Sequence, residues 1–356
     1  MPYDPTHLLS KLLLVYTAFR AFRPLPPHSN LLPAESDAGL GALPPDSPAR
    51  ILYPETWLGG GAYATLPLGK VKYWIVGPES GTKVVLIHGL TTPSIAFTHI
   101  VPILASANFR VLVYDLYGRG YSDAPRNATY DSNLYVTQLA LLLQHVRWER
   151  ARVVGYSMGG PIAAAFVAAF PSLVERDVAM IASAGGAEVR IKFSSGPLMR
   201  KLMMFGTAQK PLPFSGYRNH SWAQWFIFEA FLQRIPAILT RGSYKKPPHI
   251  SDIVPLQADH LPGFRRAVAS SLFEGPIMCM RWAFCSPNWT GFRALFVHGT
   301  ADDVVPPAHS AIFGALIEHH AKPEEVRIEQ ILGAMHNLVF THYDLVGTAL
   351  VEFFNK

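Results

Sequence analysis

Cysteine is scarce in this sequence of 356 residues, which contains only Cys279 and Cys285. Two thiolates cannot complete a four-ligand structural zinc site, and their spacing fits no common zinc pattern. The pair leaves two readings open, one local disulfide or two free and partly buried thiols. In either case the chain must be stabilised by a hydrophobic core and not by a disulfide framework.

Charged residues are also few, at 16% of the chain against 49% hydrophobic residues. This composition excludes a disordered chain and predicts a sizeable core, in one large domain with an insertion or in two domains. The formal net charge is +6. Because no lysine or arginine run accompanies that charge, nucleic-acid binding is not expected. A weak attraction to anionic membrane surfaces and a plain soluble surface remain as alternatives.

The apolar stretch near the N-terminus, residues 8–22, is interrupted or flanked by Lys11 and Arg20. Its uninterrupted part is shorter than the about 20 residues that a spanning helix needs. The acidic start and the missing small-residue cleavage site disfavour a secretory signal. We therefore expect a helix packed on the body, with a membrane-surface helix as the alternative and weak membrane contact as its consequence. A cytoplasmic or membrane-associated location is favoured over secretion.

Short apolar runs alternate with helical patterns along much of the sequence. The predicted strands are residues 71–76, 84–88, 110–115, 152–156, 178–183, 294–298 and 326–331. The predicted helices between them are residues 95–107, 134–146, 158–170 and 308–319. Continuous apolar strands that alternate with helices indicate a mostly parallel sheet covered on both faces, so the predicted fold class is α/β.

One long segment, residues 186–291, breaks this alternation and contains four of the seven tryptophans. Within it, residues 221–233 have a helical pattern that is apolar nearly all round. We predict that the segment is a helical lid inserted into a core formed by residues 61–185 and 292–356. Residues 1–60 are predicted to be an N-terminal helix and an irregular, proline-rich connector. A second independent domain is the alternative to the lid.

The motif Gly-Tyr-Ser-Met-Gly-Gly at residues 155–160 lies between a short apolar strand and an alanine-rich helix. A serine at such a strand-to-helix turn takes a strained backbone conformation that lifts its hydroxyl into the cleft. Neighbouring glycines are required because side chains would clash in the crowded turn. Ser157 is therefore the predicted nucleophile, and the amide of Met158, at the helix N-terminus, is a predicted oxyanion donor.

An acid and a histidine are expected to follow the serine in chain order. Asp302 and Asp303 both follow the predicted strand 294–298, and the Gly-x-x-Asp-x-x-Val-Pro spacing favours Asp302. A carboxylate just beyond a strand's carboxyl end points into the crevice where open α/β sheets place their sites. Asp303 is the alternative acid. If Asp302 has that role, Asp303 is expected to be a turn or surface residue.

The predicted general base is His336, in the loop between the last predicted strand and the final helix. Its rival, His342, lies inside the helical run and is expected to be structural. Earlier in the chain, a predicted strand ends in His88-Gly89, and the next amide, that of Leu90, is the second predicted oxyanion donor. His88 itself is expected to be structural.

After the next predicted strand comes a loop that reads Gly-Arg-Gly-Tyr-Ser-Asp at residues 118–123. Its glycines suit a tight turn. Asp115 and Arg119 are expected to buttress this loop and to take no direct part in chemistry.

With these segments in this order, the chain resembles the α/β-hydrolase superfamily, in particular its cap-bearing serine hydrolase branch, which includes carbon–carbon bond hydrolases and esterases. The resemblance covers about residues 61–185 and 292–356. It implies an eight-stranded, mostly parallel sheet with the lid inserted after the sixth strand. Epoxide hydrolases and dehalogenases of this superfamily use Asp as nucleophile where this chain has Ser157, so neither activity is expected. The chain also lacks the Gly-Gly-Ser-Trp-Gly motif of many peptidase members.

These features predict a serine hydrolase that cleaves an ester-like bond of an apolar or aromatic small molecule, with Ser157, His336 and Asp302 as the triad. This chemistry needs no cofactor and no metal. A carbon–carbon bond hydrolase would use the same triad and is the first alternative. A hydrolase-fold receptor that binds a small molecule is the second, and a lipid hydrolase guided to membranes by residues 8–22 is the third.

Overall fold

The computed structural model of the chain describes residues 35–186 and 250–356. Three sequence predictions therefore concern residues outside the described parts: the N-terminal helix, its weak membrane contact through residues 8–22, and the helix at 221–233. Among the helices that are described, none combines the length and the apolar character that crossing a membrane requires.

An eight-stranded sheet forms the centre of the described structure. In chain order the described strands are β1 (Ser36–Asp37), β2 (Ala62–Leu66), β3 (Gly69–Val76), β4 (Thr82–Ile87), β5 (Phe109–Tyr114), β6 (Ala124–Pro125), β7 (Ala151–Tyr156), β8 (Val174–Ile181), β9 (Arg293–Gly299) and β10 (Val326–Ile331). The sheet order is β10-β9-β8-β7-β4-β5-β3-β2, and β1 pairs with β6 separately. Strand β3 is antiparallel to both its neighbours, whereas β4, β5 and β7–β10 run parallel. The predicted fold class and the eight strands are confirmed.

Helices connect most of these strands. In chain order the described α-helices are α1 (Pro48–Leu52), α2 (Ile100–Ser106), α3 (Ser132–His145), α4 (Gly159–Ala169), α5 (Ile253–His260), α6 (Phe264–Phe273), α7 (Arg281–Phe284), α8 (Ala308–Ile317), α9 (Leu338–Thr341) and α10 (Tyr343–Phe354). The helix predicted at 95–107 is divided into a 3-10 turn, Ser94–Phe97, and α2. Pro102 explains the division, because proline has no N–H to donate and is tolerated only in a helix's first turn.

Two hydrophobic cores cover the two faces of the sheet. Along β4, Val85 and Ile87 belong to one core, whereas Val84 and Leu86 belong to the other, and all four are fully buried. The first core also includes side chains of α3, α4 and α8, and the second includes side chains of α2 and α10. Burial on both faces explains why the strand sequences are continuously apolar.

The predicted irregular connector is corrected for residues 35–60. The structure places β1, α1 and two 3-10 turns, Leu40–Ala42 and Trp57–Gly59, in this stretch. Leu40, Ala49 and Tyr53 of this stretch are fully buried. The Tyr53 hydroxyl donates to the Asp115 carboxylate at 3.1 Å. Such packing depends on partners far along the chain, which local proline content does not reveal. Strand β2, a partly exposed edge strand, was also absent from the sequence prediction.

The described part of the predicted lid, residues 250–291, follows β8, which is the sixth strand of the sheet. It contains α5, α6 and α7 together with two 3-10 turns. That it forms a lid stays a prediction. Cys279 and Cys285 are both free thiols, which excludes the disulfide that the sequence left open.

A buried ion cluster fastens the amino-terminal end of the sheet. The Asp177 side chain is 2% exposed and pairs with Arg293 at 2.7 Å and with Arg152 at 3.1 Å. The same arginines donate to the carbonyls of Phe353 and Phe354 at the end of α10. One carboxylate therefore joins β7, β8 and β9 to the last helix.

Removal of this carboxylate tests the stability of the sheet. We expect Asp177→Asn to lower the free energy of unfolding by about 3–5 kcal/mol, because two partly buried guanidinium groups lose their counter-charge. Urea unfolding followed by tryptophan fluorescence measures the loss. Glu175→Gln is the matched control, since Glu175 is 39% exposed and lies 3.7 Å from Arg152; its loss should stay below about 1 kcal/mol. An equal loss of unfolding free energy in both variants would contradict the role of Asp177 as the buried counter-charge.

Candidate active site

Ser157 occupies the turn between β7 and α4 with φ of +54°. Its amide donates to the carbonyl of Ile181 at 2.9 Å, and its own carbonyl accepts from the amides of Gly160 and Ala184, both at 3.1 Å. These three bonds hold a conformation that non-glycine residues rarely adopt. The turn therefore has the strained geometry that the motif predicts.

Glycines flank this turn because the backbone leaves no room for a side chain. A Cβ atom at position 155 would lie 2.1 Å from the carbonyl oxygen of Gly159, and one at position 159 would lie 2.1 Å from that of Ile87. Both clashes involve backbone atoms, which cannot move away as a flexible side chain could. The close approach of α4 to the strand ends thus depends on Gly155 and Gly159.

Three side chains from distant parts of the chain form one hydrogen-bonded series. Nε2 of His336 lies 2.9 Å from Oγ of Ser157, and Nδ1 of His336 lies 2.8 Å from Oδ2 of Asp302. The carboxylate accepts from Nδ1–H, so in the neutral imidazole Nε2 is free to accept the serine proton. The structure thus brings together the predicted nucleophile, base and acid.

The Asp302 carboxylate is buried and satisfied by several donors. Its Oδ1 accepts from the amides of Val304 and Val305, both at 2.9 Å. Burial alone would raise the pKa of this carboxyl, but hydrogen bonds from His298 and His336, together with the backbone donors, hold it well below its usual range. Asp302 is therefore ionised at neutral pH and can orient the imidazole.

The sequence prediction did not assign a role to His298, which contacts the same carboxylate. Nε2 of this fully buried histidine lies 3.1 Å from Oδ2 of Asp302 and 3.2 Å from the carbonyl of Val305. Both are acceptors, so Nε2 carries the proton, and Nδ1 pairs with Oγ of Ser310 at 2.8 Å. The available signal was its position, at the strand end and four residues before the acid.

Tyr156, the residue before the serine, also supports the site. Its hydroxyl donates to the main-chain carbonyl of His336 at 3.0 Å, and its ring lies against the imidazole. This hydrogen bond joins the loop that carries His336 to the end of β7, directly before Ser157.

Neither rival residue is a member of this series. Asp303 is half-buried and is not the carboxylate that meets His336. Nδ1 of His342 pairs with the hydroxyl of its neighbour Thr341 at 2.9 Å. The structure therefore favours Asp302 and His336 on geometry.

His88 fixes the loop that follows β4. Its Nε2 accepts from the amide of Leu116 at 2.9 Å, so Nδ1 carries the proton and donates to the carbonyl of Gly89 at 2.8 Å. Burial lowers the pKa of His88 to about 3, which keeps the ring neutral. The carbonyl of Gly89 and the N–H of Leu90 belong to one planar peptide and point in opposite directions. The histidine therefore sets the direction of the Leu90 amide.

The chain segments that carry the two predicted oxyanion donors lie beside the serine. A Cβ atom at Gly89 would lie 3.7 Å from Oγ of Ser157, so the chain leading to Leu90 passes beside the hydroxyl. The Met158 amide follows the serine directly at the start of α4. Within the described residues, neither amide donates a hydrogen bond to a protein acceptor. Both are thus available to a bound oxygen.

The loop after β5 is braced by Asp115, as predicted. Its carboxylate accepts from the amides of Ser94 and Tyr121, both at 2.9 Å, and from the Tyr53 hydroxyl. Burial raises the pKa of Asp115 to about 6, although these hydrogen bonds oppose the shift. Arg119, from the same loop, reaches the carbonyl of Leu90 at 3.0 Å.

Residues 78–342, most of the chain, match the family described as serine aminopeptidase, S33. A serine hydrolase-like protein of Danio rerio is 32% identical over 111 residues, which cover 31% of this chain and 34% of that protein. The chain thus spans about a third of the length of the first curated relatives that it matches.

Two further proteins match over longer stretches. The 2-hydroxy-6-oxo-2,4-heptadienoate hydrolase of Pseudomonas putida is 27% identical over 259 residues, which cover 67% of this chain and 79% of that enzyme. The crystal structure of an enol-lactonase from Burkholderia xenovorans LB400 superposes with a TM-score of 0.56 at 21% identity and covers 83% of this chain and all of its own. The structural likeness shows the shared fold.

Exchange of the two adjacent aspartates separates their roles. We expect Asp302→Asn to lower kcat for an activated ester by about 10⁴-fold, because the amide no longer holds His336 in the tautomer that accepts the serine proton. Steady-state kinetics at pH 7 give the value. The matched control, Asp303→Asn, should change kcat by less than about 10-fold. The reverse ranking of the two variants would assign the acid to Asp303.

Proposed function

We propose that this chain, which belongs to the serine aminopeptidase S33 family of α/β-hydrolases, is a serine hydrolase that cleaves an ester-like bond of an apolar or aromatic small molecule. Ser157 is the nucleophile, His336 the general base, and Asp302 the acid that orients the base. The observation that carries this proposal is the unbroken hydrogen-bonded series from Oγ of Ser157 through His336 to Asp302.

The proposed reaction proceeds in two halves. In the first, Oγ of Ser157 attacks the carbonyl carbon while its proton passes to Nε2 of His336. The tetrahedral intermediate then collapses, the leaving alcohol takes that proton, and an acyl group remains on Ser157. In the second half, water attacks the acyl carbon, His336 accepts its proton, and the acid product leaves as the serine is reprotonated.

The amides of Leu90 and Met158 are the proposed oxyanion donors. Met158 directly follows Ser157, the chain leading to Leu90 passes beside the serine hydroxyl, and both amides are without a protein acceptor in the described residues. Donors that are already in place stabilise the negative oxygen of the tetrahedral intermediate without reorganisation. The loss of one such donor costs about 2.7–4 kcal/mol of barrier.

The preference for an apolar substrate is supported by exposed apolar side chains in the loop of His336 and in the predicted lid. In the loop that carries His336, Leu332 is 88% exposed and Met335 is 48% exposed. Trp282 in the predicted lid is 44% exposed, whereas Trp289 is fully buried and belongs to the core. Trp222 and Trp225 lie outside the described residues. We further propose that residues 186–291 form the lid that faces this substrate.

A carbon–carbon bond hydrolase is the second candidate. The long match to the 2-hydroxy-6-oxo-2,4-heptadienoate hydrolase favours it. The likeness to an enol-lactonase, an enzyme named for a cyclic ester, concerns the fold alone. A carbon–carbon bond hydrolase would use the same contact between the serine and the imidazole, so the two candidates are separated by the substrates they turn over and not by the triad.

A substrate panel separates the candidates. Purified full-length chain is assayed on p-nitrophenyl esters of increasing acyl length and on 2-hydroxy-6-oxo-2,4-heptadienoate. We expect the higher kcat/KM for an ester, and we expect Ser157→Ala to lower kcat for that ester by about 10⁶-fold, to near the background rate.

Two other results would contradict the proposal. A kcat/KM for the dienoate that exceeds that of every ester would assign carbon–carbon bond hydrolysis. No turnover of any compound, with binding detected by calorimetry, would favour a hydrolase-fold receptor. Ser157→Ala is the matched control in both cases, because it removes the nucleophile and keeps the rest of the site.

A further inference from the structure

The Arg119 side chain is fully buried and uses every donor of its guanidinium group. Its partners are the carbonyl of Leu90 for Nε, the carbonyl of Tyr117 and the hydroxyl of Tyr135 for one terminal nitrogen, and the carbonyl of Ala267 and the hydroxyl of Ser271 for the other. All five acceptors are neutral. Since a guanidinium has five N–H donors, none remains for a carboxylate.

A buried cation without a carboxylate partner is costly, and the neutral acceptors compensate only part of that cost. Stability alone does not require the charge, because an apolar side chain of similar size would avoid the desolvation. The positive charge lies one hydrogen bond away from the residue whose amide is a proposed oxyanion donor. A developing negative charge at that amide would be favoured by the nearby cation.

Leu90 is held from both of its peptide groups. On the amino-terminal side, His88 donates to the carbonyl of Gly89 and so directs the N–H of Leu90. On the carboxyl-terminal side, Nε of Arg119 donates to the carbonyl of Leu90 at 3.0 Å. With both peptide planes fixed, the amide cannot rotate away from its direction.

The terminal end of the Arg119 guanidinium group is hydrogen-bonded to helix α6 of the predicted lid. One terminal nitrogen donates to Oγ of Ser271 at 2.8 Å and to the carbonyl of Ala267 at 3.3 Å. At Gly118, φ is +78° and a Cβ atom would lie 2.3 Å from Cβ of Ala267, so this glycine permits the close approach of α6. Gln257 of α5 adds a parallel link, since it accepts from the amide of Gly120 and donates to the carbonyl of Thr91.

We propose that Arg119 is a positioning residue that holds the Leu90 amide in its oxyanion-binding direction and joins that amide to helix α6. The inference rests on the proposed function and adds a residue to it. Arg119 does not touch the substrate. It acts through Leu90, so its effect belongs to the transition state, in which the oxyanion forms, and not to the ground-state complex.

The test compares transition-state binding with substrate binding in Arg119→Met and Arg119→Lys. For the best p-nitrophenyl ester we expect kcat to fall by about 10- to 100-fold, the cost of a small misplacement, with KM changed by less than about 3-fold. The affinity for an alkyl trifluoromethyl ketone, which forms a tetrahedral adduct with the serine, should fall in parallel with kcat. Arg119→Lys keeps the positive charge but loses the planar guanidinium group with its five donors. Its kcat should therefore lie between those of Arg119→Met and the wild-type protein.

Two controls keep the test decisive. Arg152→Lys weakens the ion cluster at the opposite end of the sheet and should lower the melting temperature with kcat and ketone affinity unchanged. Ser271→Ala keeps Arg119 and its contact with Leu90 and removes one acceptor on α6. It should lower kcat by about 2- to 10-fold, the effect of one neutral hydrogen bond, and it remains informative if Arg119→Met is insoluble.

Two results would overturn the inference. One is a soluble Arg119 variant with wild-type kcat and ketone affinity. The other is a fall in kcat that matches the loss of folded protein, with the ketone affinity of the folded fraction unchanged. The failure of the proposed function looks different, because wild-type protein would then neither hydrolyse the esters nor bind the ketone.

Discussion

Backbone crowding at the end of β7 forces Ser157 into the left-handed region. The strand must turn at once into α4, and the carbonyl oxygens of Gly159 and Ile87 lie where side chains at positions 155 and 159 would be. A conformation of this kind costs about 1–3 kcal/mol per residue and persists only where the surroundings determine it. Here the surroundings are the hydrogen bonds to Ile181 and Ala184. The cost is compensated by the core on both faces of the sheet.

The two ends of the sheet serve different purposes. At the amino-terminal end, Asp177 and its arginines join three strands to the last helix. At the carboxyl-terminal end, the loops after β4, β5, β7, β9 and β10 converge, and these loops carry the proposed donors, nucleophile, acid and base. Because parallel strands place all their carboxyl ends at one edge, residues as distant as Ser157 and His336 can meet there.

Much of the fold and the candidate site could be predicted from the sequence. Each predicted site residue lies in a short motif at a strand end, and the order of the motifs and the apolar periodicity are local features. The division of the predicted helix 95–107 also had a local signal, since Pro102 is tolerated only in a first turn and so favours a helix that begins shortly before it. What the sequence could not reveal depends on distant partners, such as the buried Tyr53 with Asp115, or Arg119 with Ser271, which lies 152 residues further along the chain. His298 is an intermediate case. Its position at the strand end, four residues before Asp302, was a local signal of its role, but its contacts with Asp302 and Ser310 were not.

The central claim, that His336 activates Ser157, is tested most directly by a fluorophosphonate probe followed by peptide mass spectrometry. The account predicts an adduct on the peptide that contains Ser157 in the wild-type protein. It also predicts that His336→Ala, which keeps the serine, slows that labelling by orders of magnitude, whereas His342→Ala leaves the rate unchanged. An adduct confined to another serine, or equal labelling rates in wild-type protein and His336→Ala, would contradict it.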